Sequence, residues 1–241
     1  MKQIIDIHSH MLPAVDDGCP DREEALAMLR MYEEQGVEAV VCTPHFGTCA
    51  LKGADVQGSF DWLCSVESPV RLYLGNEILL TRYSLQDTRR GIARRMAESD
   101  RILIEFDEWG NNSSGADEIR DGLAWAGDSE FVPILAHAER YRCLQQQPEI
   151  YHALAEMGVE IQINAYSICE DKKEQTRKAA QYLLEHRLVS YIGSDAHGIG
   201  HRPPKLATGV KWIYDHCPED YADAVVHDNA GRMILSGQKE E

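Results

Sequence analysis

The sequence predicts an α/β protein, a distorted (β/α)7 barrel of the TIM-like type, and three observations support that fold class. Apolar, β-branched runs recur along the chain, with helical patterns between most of them. Several runs are almost continuously apolar, which is typical of parallel strands covered on both faces. The length of 241 residues suits one barrel domain, so we expect a single domain over residues 1–241.

Seven apolar runs are the predicted strands. They cover residues 3–7, 39–43, 71–75, 101–106, 131–135, 159–163 and 189–193. Repeated strand–helix units imply parallel strands joined by right-handed crossovers. Seven such strands would close the barrel.

The clearest helical pattern covers residues 21–35. Asp21 is a favourable N-cap, Gly36 suits the C-terminal end, and the apolar residues between them have helical spacing. Weaker helical patterns cover residues 116–126, 148–157 and 171–186. The tail from Pro204 onward is expected to add two or three helices.

Composition and charge argue against several classes of function. The formal net charge is −16, whereas non-specific nucleic-acid binding needs a basic face. The seven cysteines include no Cys-x-x-Cys pair, which indicates a reduced, cytoplasmic protein. No signal peptide is visible, and no apolar stretch approaches the roughly 20 residues of a membrane span. The chain also lacks a P-loop and the Cys-x5-Arg loop of cysteine-dependent phosphatases.

Imidazoles and carboxylates follow the predicted strands. They are His8, His10 and Asp17 after the first strand, His45 after the second, Glu77 after the third, Glu105 near the end of the fourth, His137 after the fifth, and Asp195 and His197 after the seventh. Active sites of such barrels lie at the carboxyl ends of the strands. Because imidazole and carboxylate together bind zinc, manganese or iron, the pattern predicts a hydrolytic metal centre.

Each candidate also has a less specific explanation. His8 and His10 alone could be surface or core histidines, and Glu77 alone could be an exposed carboxylate in a turn. Glu105 interrupts an apolar strand, where a buried carboxylate is costly unless a metal ion or a salt bridge partners it. The recurrence of these residues after successive strands favours a shared metal centre.

The Asp-Asp-Gly sequence at residues 16–18 indicates a turn. Asp17 is the predicted ligand, and Asp16 is predicted to be its solvated neighbour. The other five histidines are expected to be solvated: His152, His186, His201, His216 and His227. Arg140 and Arg202 follow candidate ligands, and their guanidinium groups suit phosphate oxygens, with ordinary salt bridges as the alternative.

These motifs together resemble the polymerase-and-histidinol-phosphatase (PHP) superfamily, and within it the bacterial protein-tyrosine phosphatases of the CpsB/CapC family. The matching segments run in the family's order: residues 6–10 with 16–18, 43–45, 75–78, 102–106, 137–141, and 194–197 with 202–204. The resemblance implies the PHP form of the barrel and three divalent metal ions, expected to be manganese, with iron or zinc as alternatives.

The resemblance also assigns the ligands. His8, His10, Glu77 and Asp195 would hold the first ion. Glu77 would bridge to a second, completed by Glu105 and His137. Asp17, His45 and His197 would hold the third, and Arg140 and Arg202 match the phosphate-binding arginines of the family.

The reaction implied by the resemblance is hydrolysis of a phosphomonoester by a hydroxide that bridges two metal ions. The expected substrate is a phosphotyrosine protein, such as the tail of a bacterial tyrosine kinase, with a role in capsule or exopolysaccharide regulation. One alternative is a phosphatase of a small phosphomonoester such as histidinol phosphate. Another is a non-catalytic module that binds phosphopeptides.

Overall fold

Parallel strands alternate with helices through the computed structural model, which describes residues 1–47, 49–107, 114–169 and 173–238. The strands are β1 (Ile4–Ser9), β2 (Val37–Cys42), β3 (His45–Phe46), β4 (Arg71–Leu74), β5 (Glu77–Leu79), β6 (Arg101–Glu105), β7 (Val132–Leu135), β8 (Glu160–Asn164) and β9 (Tyr191–Gly193). The α-helices are α1 (Arg22–Glu34), α2 (Val56–Cys64), α3 (Arg82–Arg89), α4 (Ala116–Gly127), α5 (Arg142–Gln145), α6 (Glu149–Glu156), α7 (Glu174–Glu185), α8 (Ala207–His216), α9 (Glu219–Asp223) and α10 (Asn229–Gly237).

The strands form a curled parallel sheet. Hydrogen bonds link them in the orders β1-β2-β4 and β3-β5-β6-β7-β8-β9. The last strand returns to the first, because the backbone N–H of Asp195 donates to His8 O at 2.8 Å and that of His10 donates to Ala196 O at 2.8 Å. The fold is therefore a mixed α/β fold with a curled parallel sheet, as expected for a TIM-like protein.

The seven predicted strands are confirmed, with each end within two residues of the prediction. The structure adds the short strands β3 and β5, which the prediction missed. All predicted helices are present, and the tail forms α8, α9 and α10. Residues 171–172 of the predicted helix 171–186 lie outside the described residues.

Two strands break just before candidate ligands. The chain turns at Thr43-Pro44 between β2 and β3, and at Gly75-Asn76 between β4 and β5. Asn76 joins the two turns to the rest of the fold, since its Nδ2 donates to Pro44 O at 2.7 Å and its Oδ1 accepts from Arg94 N at 2.8 Å. After the turns, β3 pairs with β5 so that His45 lies opposite Glu77.

Alternate strand residues pack on opposite faces of the sheet. Ile4, Val40, Ile102, Leu135 and Ile192 belong to the larger apolar cluster, which includes residues of most of the helices. Their neighbours in the chain belong to a smaller cluster with α10: Ile5, Val41, Leu103, Ile134 and Tyr191. This alternation is the expected consequence of the two-residue period of a strand. Both faces are largely apolar, and the polar side chains of the site lie in the last residues of the strands and just beyond their carboxyl ends.

The cysteines and helices bear on two further expectations. All seven cysteines are free thiols. Among the described residues, no helix combines the length and the apolar character that a bilayer crossing requires.

Candidate metal centre

Four side chains converge on one point at the seam between β1 and β9. His8 Nε2 and His10 Nε2 lie 3.2 Å apart, and Glu77 Oε2 lies 3.2 Å and 3.1 Å from them. Asp195 Oδ1 lies 3.6 Å from each of the two imidazole nitrogens. Ligand atoms about 2.1 Å from a tetrahedral ion are about 3.4 Å from one another. The four atoms therefore have the spacing of a coordination shell, and all four side chains are buried.

A second group shares Glu77 with the first. His45 Nδ1 lies 3.2 Å from Glu77 Oε2 and 3.0 Å from Glu105 Oε1. The other oxygen of Glu77, Oε1, lies 2.7 Å from His137 Nε2. Because its two oxygens face different partners, Glu77 has the arrangement that a bridging carboxylate needs.

A third group lies towards solvent. His10, Asp17, His45 and His197 each offer an atom to it, and these atoms lie within 4.8 Å of one another. Asp17 Oδ1 is 3.4 Å from His45 Nε2 and 3.8 Å from His197 Nε2. The structure thus brings all nine predicted ligand residues into one cluster.

The polar atoms of the cluster fit a set of cations better than they fit one another. His45 Nδ1, Glu105 Oε1 and His197 Nε2 are buried and make no hydrogen bond of acceptable geometry among the described residues. A buried polar atom left in this state costs roughly 1–3 kcal/mol. Divalent cations would satisfy these atoms, so the residues present fit a metal centre.

The pKa values of the cluster shift in different directions. Burial opposes protonation of His10 and His45, but their acidic neighbours raise the pKa of both. Burial raises the pKa of Glu105, and the neighbouring charge of Glu77 raises it further. Burial and the nearby charge of His10 lower the pKa of His197 to about 2. His197 is therefore neutral, which is the form of imidazole that binds a metal ion.

Asp16 is a buried partner of the cluster, and the prediction that it is solvated was wrong. It is 5% exposed, and its Oδ2 accepts from His10 Nδ1 at 2.8 Å and from His45 N at 3.0 Å. Burial would raise the pKa of Asp16, but the hydrogen bond and charge of His10 lower it to about 2. Asp16 fixes the ring of His10 so that Nε2 faces the first group, as carboxylates commonly do for metal-binding histidines.

Gln162 and Asn164 on β8 were missed by the sequence analysis. Gln162 Oε1 accepts from His8 Nδ1 at 3.1 Å and from His137 N at 2.7 Å. Asn164 Nδ2 donates to Asp195 Oδ2 at 3.2 Å, and Gln162 Nε2 donates to Asn164 Oδ1 at 2.9 Å. The signal was present, because Gln162 interrupts an apolar strand in the same way as Glu105.

A buried hydroxyl lies behind the seam that carries four of the ligands. Tyr32 of α1 places its hydroxyl 2.9 Å from Asp6 Oδ2, 2.8 Å from Ser9 Oγ and 2.9 Å from Ser194 Oγ. Asp6 Oδ1 in turn accepts from His8 N at 3.0 Å and from Ser194 N at 2.9 Å. This network ties β1 to the residues that follow β9.

Three residues of the site hold a left-handed backbone that favours glycine. His137 has φ +33°, Asp195 has φ +50° and Arg202 has φ +47°. Such conformations cost on the order of 1–3 kcal/mol each and cluster at functional sites. The strained backbone is consistent with a requirement that these three side chains point towards the ligand cluster.

The two arginines adjoin the metal cluster through Asp195. Arg140 Nη1 donates to Asp195 Oδ2 at 2.8 Å, and Arg202 Nη1 donates to the same atom at 3.1 Å. Asp195 therefore presents Oδ1 to the histidines and Oδ2 to the guanidinium groups. Burial would raise the pKa of Asp195, but His8 and the two arginines hold it well below its ordinary value.

The five remaining histidines are not among these ligand groups. His186, His201 and His216 are exposed, whereas His152 and His227 are half-buried and contact Tyr182 and Glu38 respectively. The expectation of full solvation therefore holds for three of the five.

Comparison with known proteins gives consistent relatives. The family described as "Capsular polysaccharide synthesis, CpsB/CapC" matches residues 4–235. The tyrosine-protein phosphatase CpsB of Streptococcus agalactiae serotype V is 28% identical over 249 residues, which covers 96% of this chain and 98% of the relative. The tyrosine-protein phosphatase YwqE of Bacillus subtilis is 29% identical over 202 residues, covering 81% and 78%.

A solved structure agrees with the sequence relatives. It belongs to a set of crystal structures of YwqE from Bacillus subtilis and CpsB from Streptococcus pneumoniae, which are described as metal-dependent tyrosine phosphatases. The two chains are 25% identical with a TM-score of 0.83, and the likeness covers 97% of this chain and 95% of the other.

Proposed function

This chain belongs to the CpsB/CapC family, and on that premise we propose that it is a metal-dependent protein-tyrosine phosphatase, a hydrolase of phosphoric monoesters. One observation carries the proposal: three overlapping groups of imidazoles and carboxylates adjoin two arginines through Asp195. The relatives named as tyrosine phosphatases support the same reaction. The family description supports a role in capsule or exopolysaccharide regulation, with a phosphotyrosine protein as substrate.

Three divalent ions are the proposed cofactors, with manganese preferred and iron or zinc as alternatives. His8, His10, Glu77 and Asp195 would hold the first ion. Glu77, Glu105 and His137 would hold the second, and Asp17, His45 and His197 would hold the third. When bound, divalent cations supply hydroxide from water near neutral pH and neutralise phosphoryl charge.

The chain's own residues would bind and orient the phosphoryl group. Arg140 and Arg202 present guanidinium groups whose forked donors match phosphate oxygens. They are held by one carboxylate oxygen of Asp195, so both face the same region beside the ligand cluster. In-line displacement depends chiefly on such positioning and on charge stabilisation. No covalent phosphoenzyme is proposed.

The fold also supports a finer proposal. If β2 and β3 are one interrupted strand, and β4 and β5 another, the curled sheet has seven strand positions and is the distorted (β/α)7 barrel of the PHP type. One phosphoesterase domain would then span the chain. The seven free thiols support a cytoplasmic location.

The test is phosphatase activity that depends on metal. The purified protein should hydrolyse a phosphotyrosine peptide and p-nitrophenyl phosphate, lose both activities after chelation, and regain them with added manganese. His10→Ala should abolish activity and lower the metal content measured by elemental analysis. His216→Ala, at an exposed histidine of α8, is the matched control and should change neither. Normal turnover by the metal-stripped protein would refute the proposal.

A further inference from the structure

A cleft of about 1140 Å³ adjoins the arginine side of the metal cluster. Arg140 and Arg202 line it, and they are the residues that contact Asp195. Further cationic side chains in its lining are Arg142, Lys173 and Lys178. The cleft therefore begins at the proposed phosphate position and continues over the surface of α5 and α7.

The volume of the cleft exceeds what a phosphotyrosine side chain fills. Pockets that enclose a drug-sized ligand have volumes of roughly 300–1000 Å³. The additional space has aromatic walls, because Tyr151, Tyr166 and Tyr182 also line it. A cleft of this size and lining can accept a peptide segment next to the modified residue.

The charge of the cleft is opposite to that of the protein. The formal net charge of the chain is −16, yet the described residues that line the cleft include arginine and lysine and neither aspartate nor glutamate. A protein with this net charge repels an acidic ligand at long range. Within a cationic cleft with low-dielectric walls, the local electrostatic potential is positive and attracts the ligand. The cleft is therefore suited to an anionic segment.

Arg142 is the cation that the fold leaves available for this purpose. Its side chain is exposed at the first residue of α5, and among the described residues it forms no ion pair. Lys178, by contrast, pairs with Glu174 at 2.6 Å. A ligand carboxylate near Arg142 would not have to displace an existing partner.

We propose that this cleft binds acidic side chains flanking the phosphotyrosine, and that Arg142 is a specificity-determining residue for them. The inference rests on the proposed function, because it extends the same site along the substrate. The substrate class is then a phosphotyrosine segment with neighbouring carboxylates.

The test compares phosphotyrosine peptides that differ only in their flanking residues. One peptide carries glutamates, the second carries glutamines, and the third carries glutamines and a second phosphotyrosine. The manganese-loaded wild type should show a higher kcat/KM for the glutamate peptide than for the glutamine peptide. Arg142→Gln should lower the ratio of the two kcat/KM values, glutamate peptide over glutamine peptide, by roughly 1.5- to fivefold, the effect of losing one exposed ion pair.

Arg232→Gln is the matched control. Arg232 is exposed on α10, whose apolar side packs with Ile5 and Tyr191 away from the ligand cluster, and the substitution removes the same charge. The ratio should be unchanged in this variant. Equal kcat/KM values for the glutamate and glutamine peptides in the wild type would overturn the proposal. So would an equal change in Arg142→Gln and Arg232→Gln, or a preference confined to the doubly phosphorylated peptide.

Fluorescence polarisation separates this inference from the proposed function. Labelled glutamate and glutamine peptides are titrated with the wild type and with Arg142→Gln, and a thermal melt checks that the variant is folded. If neither peptide is hydrolysed but the glutamate peptide binds more tightly in an Arg142-dependent manner, the phosphatase proposal fails and the cleft proposal stands. If both peptides are hydrolysed without any Arg142-dependent difference, the phosphatase proposal stands and the cleft proposal fails.

Discussion

Removal of one buried hydroxyl should weaken the seam that carries four candidate ligands. The hydroxyl of Tyr32 lies within 2.9 Å of Asp6 Oδ2, Ser9 Oγ and Ser194 Oγ, and Tyr32, Asp6, Ser9 and Ser194 are fully buried. Tyr32→Phe keeps the ring and deletes only the oxygen. The shape of the core is preserved, so the change isolates the hydrogen bonds through which Tyr32 links β1 to the segment after β9.

The expected loss of unfolding free energy follows from the hydrogen bond that Asp6 loses in the variant. Burial raises the pKa of Asp6, and hydrogen bonds from its neighbours, Tyr32 among them, oppose that rise. Leaving a buried group of this kind without one of its donors costs about 2 kcal/mol of unfolding free energy. For a chain of 241 residues, that loss lowers Tm by roughly 4–8 °C.

Thermal unfolding of the metal-free protein measures this effect directly. Tyr73→Phe on β4 is the matched control, because it deletes the same atom from a half-buried tyrosine with no side-chain hydrogen bond among the described residues. A Tm for Tyr32→Phe that equals the wild-type value, or a fall no larger than that of the control, would refute the reasoning.

Two further predictions concern buried polar residues around the cluster. Gln162→Leu removes the acceptor of His8 Nδ1 and should weaken metal binding by roughly 10–100-fold, measured by competition with a chelating dye; unchanged affinity would show that Gln162 does not orient His8. Burial raises the pKa of Glu139 from 4.5 to about 7. The contribution of Glu139 to the unfolding free energy is therefore complete below pH 4.5 and is lost as pH rises through 7. Relative to Glu139→Gln, the metal-free wild type should lose about 3 kcal/mol of unfolding free energy between pH 4.5 and 8 in urea titrations. Parallel pH profiles for the two proteins would contradict this.

The seven predicted strands could be recognised because each lies within a mostly apolar run of five or six residues, including β9, which itself has three. The strands β3 and β5 could not, because they contain two and three residues and follow immediately after a turn. Hydrophobic periodicity needs a longer window than that. The consequence is local, since His45 and Glu77 were still recognised as candidate ligands from their place after a strand.

The error at Asp16 has a different origin. An Asp-Asp-Gly turn contains no local signal that distinguishes the two carboxylates, and the burial of Asp16 depends on His10 and on the backbone of His45. Gln162 was missed although it interrupts an apolar strand as Glu105 does, because its role depends on His8 and His137, which lie elsewhere in the chain. In both cases the deciding partner is contributed by another part of the chain.

The closure of β9 onto β1 has a consequence for synthesis of the protein. His8 and His10 leave the ribosome before Asp195 and His197, which follow them by 187 residues. At translation rates of about 5–20 residues per second, the interval between them is roughly 10–40 s. During that interval one edge of β1 lacks its neighbour, and the nascent polypeptide has only part of its ligand set. Prematurely terminated chains that end before β9 would therefore have neither a completed sheet nor the means to retain the ions on which hydrolysis depends.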